Sequence, residues 1–119
     1  MGDPAGIAPE ITLKAWQGRK EWNLPPFFVI GDPALYDGAK EITSPAQAID
    51  VFKNALPVLP LALNAKAKAG VLDAANAPAV LESIQRAVRF CESGEAAAIV
   101  TNPIHKAVLK KSGAFNFPG

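Results

Sequence analysis

Phe27-Phe28-Val29-Ile30-Gly31-Asp32-Pro33 is the stretch whose reading decides the fold. Four apolar residues run without alternation and then break at Gly-Asp-Pro, the pattern of a strand buried on both faces. Asp32 is placed to cap a helical turn, and residues 33–40 read as a short helix. A strand buried on both faces needs helices above and below it. The rest of the chain is therefore read for helical stripes and further apolar runs.

Upstream, Met1-Gly2-Asp3-Pro4-Ala5-Gly6-Ile7-Ala8-Pro9-Glu10 is a glycine-punctuated loop that enters a helix. Pro9 suits the first helical turn, Glu10 complements the helix dipole, and Ile7, Ile11 and Ala15 keep helical spacing through Trp16. Such a loop normally sits at the carboxyl end of a strand. That strand is expected to precede Met1, so the chain reads as a fragment cut just inside it.

Downstream, a brief strand is expected around Ile42 and a weak helix over residues 46–54. The extended run 56–63 is limited by Pro57 and Pro60 to an edge or irregular strand. Residues 64–75, rich in Ala and Lys, read as solvated. The clearest helix covers residues 77–93, with Asn76 as candidate N-cap, Gly94 as its stop, and Val80, Ile84, Val88 and Cys91 as its apolar stripe. Ala96-Ala97-Ala98-Ile99-Val100 reads as a central parallel strand, Thr101-Asn102-Pro103 as a turn, and residues 104–112 as a last helix stopped by Gly113. The alternation predicts an α/β fold, a three-layer sheet of mainly parallel strands in which residues 27–30 and 97–100 share one sheet under the 77–93 helix.

Composition agrees with a soluble, globular domain. Half of the 119 residues are hydrophobic and 19% are charged, which excludes a disordered chain. At this length one domain is the limit, burying roughly two-thirds of its unfolded surface. A formal net charge of +1 supplies no field for nucleic acid or anionic membrane. No apolar run approaches the roughly 18 residues of a membrane span, and the N-terminus lacks a signal-peptide layout. A single cysteine, Cys91, precludes an internal disulfide and suits a reducing, cytoplasmic setting.

Two loops carry the candidate chemistry. In residues 2–6, Asp3 reads as a helix cap, a carboxylate orienting a ligand hydroxyl, or a discriminator against a wrong cofactor; Gly-Asp-Pro is equally good turn chemistry. Gly2, Asp3 and Gly6 are the candidate cofactor contacts, although their spacing is not the dinucleotide fingerprint. In residues 101–106, Thr101, Asn102, His105 and Lys106 join Asp3 as candidate cleft residues. Neutral His105 donates or accepts a hydrogen bond and Lys106 attracts a phosphate. Helix-start packing of His105 and a solvated Lys106 explain the same residues more blandly. Thr101 and Asn102 divide likewise between turn formation and substrate contact. One histidine cannot build a histidine metal site, so no metal ligand is expected in this chain. Cys91 reads as a buried structural thiol. Parallel strands deliver their carboxyl ends to one edge, so Asp3, Asn102 and His105 are expected to converge on one cleft.

The wording of these loops resembles the 4-hydroxythreonine-4-phosphate dehydrogenase family of pyridoxine biosynthesis. The resemblance runs through Gly2-Asp3-Pro4-Ala5-Gly6-Ile7 with Pro9-Glu10, Val29-Ile30-Gly31-Asp32-Pro33-Ala34-Leu35, Asn76-Ala77-Pro78-Ala79-Val80, and Thr101-Asn102-Pro103-Ile104-His105-Lys106 with Phe117-Pro118-Gly119. It implies a fold like that of the isocitrate and isopropylmalate dehydrogenases. The implied reaction is NAD-dependent oxidation and decarboxylation of 4-phosphooxy-threonine, with a divalent metal such as Zn²⁺ as Lewis acid. The resemblance also implies that residues 1–119 are the N-terminal part of a larger two-domain α/β enzyme, a homodimer whose metal-ligating histidines lie downstream of these residues, so the 119-residue chain alone is expected to be inactive. Ala8 departs from the family's usual glycine, and its methyl is expected to narrow the cofactor approach. A related hydroxy-acid dehydrogenase of the same fold, or a non-catalytic α/β binding module, are the alternatives.

Overall fold

The computed structural model describes residues 1–113. Its centre is a parallel sheet of β1 (Val29–Gly31), β2 (Lys40–Glu41) and β3 (Pro57–Pro60), ordered β1-β3-β2. Val29 pairs with Val58 and Ile30 with Leu59 on one side, and Lys40 with Pro57 and Glu41 with Val58 on the other. Four helices accompany it: α1 (Ala8–Gln17), α2 (Ala48–Phe52), α3 (Ala77–Glu92) and α4 (Lys106–Lys111). The α/β class with parallel strands is the one the sequence predicts. Among the described residues, no helix is long and apolar enough to cross a membrane.

Successive strand residues point to opposite faces, and the core divides accordingly. Val29 and Val58 join Tyr36 and Leu56 on one face, where Leu13 and Trp16 of α1 pack against them. Ile30 and Leu59 join Ile42 and Ala48 on the other, closed by Ala87 and Phe90 of α3. Edge-on aromatic pairs tie down each side, Phe27 on Phe52 at 4.9 Å and Phe28 on Phe90 at 5.9 Å. The end of α1 is anchored to α2 by polar contacts. Trp16 Nε1 donates to the Phe52 carbonyl, Arg19 donates to the Lys53 carbonyl, and the Arg19 guanidinium lies 4.0 Å above the Trp16 ring.

β3 corrects the expectation of an edge strand, because it is the central one. Lys40 N–H donates to the Leu56 carbonyl and Ile42 N–H to the Val58 carbonyl, while Leu61 N–H donates to the Gly31 carbonyl. Even-numbered residues therefore serve β2 and odd-numbered residues serve β1. The nitrogen of Pro57 faces β1 one register before Val29, and that of Pro60 faces β2 beyond its end at Glu41. Each missing donor falls where no neighbouring strand asks for it, so the usual exclusion of proline from central strands does not apply.

Residues 97–100 are the opposite correction: they form no strand and join no sheet. Val100 is 92% exposed. A strand exists through its ladder, and among the described residues β1 has β3 alone as its neighbour. The segment is held at its start, where Ala96 N–H donates to the Phe90 carbonyl. Strand propensity without a neighbour leaves the chain irregular.

Smaller corrections come from packing. Residues 33–40 contain only a single tight turn, Pro33–Leu35, with Asp32 capping it through Ala34 N–H at 2.9 Å. On α1 the buried side chains are Ala8 and Thr12, while Ile7 and Ile11 face outward. Val80 is buried as expected, but Val88 of α3 is exposed and Cys91 is half-buried; Ser83, Ala87 and Phe90 turn inward beside Val80. Asn76 does not cap α3. Its buried Oδ1 accepts from Ala65 N–H, and Asp73 caps the turn before the helix. α3 stops at Gly94, whose φ of +78° favours glycine. The last helix is limited to Lys106–Lys111, and Phe117-Pro118-Gly119 lies outside the described residues.

Candidate functional site

The two candidate loops meet along a seam. Asp3 N–H donates to the Pro103 carbonyl at 2.9 Å. Asn102 spends its side-chain Nδ2 twice, on the Met1 carbonyl at 3.0 Å and on Thr12 Oγ1 at 2.8 Å. Gly2, at φ +87°, is pressed so close that a Cβ there would stand 2.6 Å from Asn102 Cβ and 2.8 Å from Ala8 Cβ. Its missing side chain is thus used inside the protein. Below the seam, Met1 and Ile104 pack with Leu81 on Ala77, Val80 and Leu109, joining the chain start, α3 and α4.

A shallow hollow opens on each side of the seam. Asp3, Pro4, Asp73, Asn76 and His105 line the first, floored by Val80 and Leu109. Gly2, Ser83, Ile99, Thr101 and Asn102 line the second. The structure therefore brings Asp3 and His105 into one hollow and sets Thr101 and Asn102 in the other. Lys106 opens α4 beside His105 and is exposed. The convergence of Asp3 and His105 does not come from two strand ends, since residues 97–100 form none. It comes from the direct Asp3–Pro103 contact.

The residues 2–6 loop offers a ligand less backbone than its glycines suggest. The Ala5 amide donates to Asp3 Oδ1, and the Gly6 amide to the Asp3 carbonyl. With Asp3 N–H on Pro103, three amides of the turn are committed within the chain. What faces outward is the Asp3 side chain and the exposed Gly6. Ala8 is 1% exposed, and its methyl lies against Gly2.

Asp73 is the hollow residue that sequence reading missed. Its Oδ1 holds Ala75 N–H at 2.9 Å, and its side chain borders the same hollow as Asp3 and His105. The available signal was an aspartate three residues before Asn76, a competing cap for the helix entry. Among the described residues, no three His, Cys, Asp or Glu side chains lie together in a way that would hold a metal ion. These residues do not themselves fit one.

Comparison with known proteins gives a consistent result. Residues 24–119 match the family profile of the pyridoxal phosphate biosynthetic protein PdxA. The whole chain aligns with the 4-hydroxythreonine-4-phosphate dehydrogenase of Methylorubrum populi at 47% identity, covering 37% of that protein. It aligns with the enzyme of the same name from Xanthobacter autotrophicus at 44%, covering 36%. A solved structure assigned to 4-hydroxythreonine-4-phosphate dehydrogenase of Salmonella typhimurium superimposes with a TM-score of 0.74 at 29% identity, over all of this chain and 40% of that one. The chain thus spans just over a third of the length of these relatives.

Proposed function

The chain belongs to the PdxA family of pyridoxal phosphate biosynthetic proteins, and from that premise we propose that it is part of a 4-hydroxythreonine-4-phosphate dehydrogenase. The substrate is 4-phosphooxy-threonine. Its alcohol carbon gives a hydride to NAD and its hydroxyl gives up a proton, leaving a β-keto acid whose carboxyl–carbon bond then breaks to release carbon dioxide. The full-length protein works as a cytoplasmic homodimer with the three-layer architecture of the isocitrate and isopropylmalate dehydrogenases. A divalent metal belongs to this reading through the family alone, so no step is assigned to it.

This chain supplies one wall of the substrate cleft. The Asp3 carboxylate attracts the substrate's ammonium group, and the His105 ring offers a hydrogen bond to a substrate oxygen. Lys106, exposed at the rim, draws the phosphate as a compact point charge. NAD approaches over Gly6 and Asp3, the outward parts of the first loop. The observation that carries the assignment is the meeting of Asp3 and His105 at one hollow.

The test is a spectrophotometric assay of NADH formation from 4-phosphooxy-threonine by the purified full-length protein. Asp3→Asn and His105→Ala are expected to reduce turnover more than thermal stability, and the 119-residue chain alone is expected to be silent. Absence of NADH formation, with oxidation of a different hydroxy acid, would transfer the site to a related dehydrogenase.

A further inference from the structure

We propose that Thr12 is a positioning residue for this cleft, its hydroxyl fixing through Asn102 the distance between the loop that carries Asp3 and the loop that carries His105. Thr12 is 7% exposed and borders neither hollow, so it touches no ligand itself. Its Oγ1 does two things at once. It donates to the Ala8 carbonyl at 2.8 Å and accepts from Asn102 Nδ2 at 2.8 Å.

The orientation of the Asn102 amide is fixed by its partners. The Met1 carbonyl can only accept, so the nitrogen must face it, and the two hydrogens of that nitrogen are then both spent. One ties residues 101–106 to the chain start and the other ties them to helix α1. The α1 tie is the rigid one, because Thr12 lies in the second turn of a ten-residue helix whose own first residue, Ala8, is buried against Gly2. His105 lies three residues beyond Asn102, and Asp3 N–H hangs on Pro103 between them. Releasing Asn102 from Thr12 leaves a part-buried amide hydrogen without its acceptor and frees this stretch to drift from α1. Asn102, which sequence reading divides between turn and substrate contact, therefore acts as the connecting piece.

The catalytic readout rests on the dehydrogenase reading, and a second readout does not. In the full-length protein, Thr12→Val keeps the shape and removes the hydroxyl, while Thr12→Ser keeps the hydroxyl. Losing this bond is expected to raise KM for 4-phosphooxy-threonine about tenfold. The kcat should stay within about twofold, the signature of lost placement rather than lost chemistry. Thr12→Ser should restore KM. An unchanged KM with a lowered melting temperature, or a Ser variant as impaired as the Val variant, would overturn the proposal.

Amide hydrogen exchange at Asp3 gives the independent measure. Its protection is expected to fall about tenfold in Thr12→Val, and unchanged protection would sink the idea whatever the enzyme oxidises. If the wild type shows no turnover of 4-phosphooxy-threonine while Asp3 protection still falls, the dehydrogenase reading fails and the Thr12 link stands. In an Asn102→Ala background, Thr12→Val should add little further loss of protection, since both act on one link. Equal and additive losses would refute a shared link.

Discussion

β3 lies between two strands, and its Val58, like Leu56 just before it, has no exposed surface, whereas residues 97–100 lie outside the sheet and leave Val100 92% exposed. The first segment contains two prolines and the second contains none, with Ile and Val at its end. The difference teaches that a strand is made by its neighbours. β3 pairs with β1 through Val58, Leu59 and Pro60 and with β2 through Pro57 and Val58, and residues 97–100 have no partner among the described residues. Intrinsic preference, worth up to about 1 kcal/mol, does not replace a ladder of hydrogen bonds and a packed face.

The comparison breaks if the energetics do not match it. Leu56→Ala, at a side chain with no exposed surface, should cost about 2–5 kcal/mol in urea unfolding. A loss below about 1 kcal/mol would show that the β3 side of the core is loosely formed. Tyr36 sharpens the same point, because its hydroxyl is buried in that core and finds no partner among the described residues. Burial, helped by the negative charge of Asp32, raises its pKa from 10.0 to about 12. The folded state then holds a proton that the unfolded chain releases first. Stability from this source is intact below pH 10 and is lost progressively as pH rises from about 10 to about 12. Tyr36→Phe should abolish that alkaline slope and raise stability at neutral pH by about 1 kcal/mol. A retained slope would assign it to another group. At the bottom of the scale, Val100→Ser should change stability by no more than about 0.5 kcal/mol. A loss several times larger would mean that residues 97–100 are packed against something in solution.

Local signals are legible in proportion to how local they are. α1 and α3 fall within a residue or so of their expected limits, because Pro9, Gly94 and the apolar spacing act within a few residues of themselves. The turn at Asp32 is legible for the same reason, although the helix expected beyond it does not form, since Tyr36 turns inward and Lys40 is drawn to β3 instead. Strand order is not legible. Nothing in Pro57-Val58-Leu59-Pro60 states which side each nitrogen will face until the registers of β1 and β2 are known. At the site, the meeting of Asp3 with His105 is expected from strand-end geometry but arises from a backbone bond between the loops. Thr12 and Asp73 look ordinary in sequence. One is a helical threonine and the other a turn aspartate, and only tertiary contacts give them a part in the cleft.

The fit of Gly2 against Asn102 also bears on inheritance. A side chain at position 2 would occupy the volume that the Asn102 Cβ and the Ala8 methyl already fill, and its backbone angle would remain strained even after those neighbours shrank. Positions 2, 8 and 102 therefore cannot drift separately. In a library randomised at position 2 alone, glycine should be recovered almost exclusively. Randomising 2, 8 and 102 together should admit alanine at position 2 only in company with glycine at both of the other two, which makes these distant codons a single unit of variation.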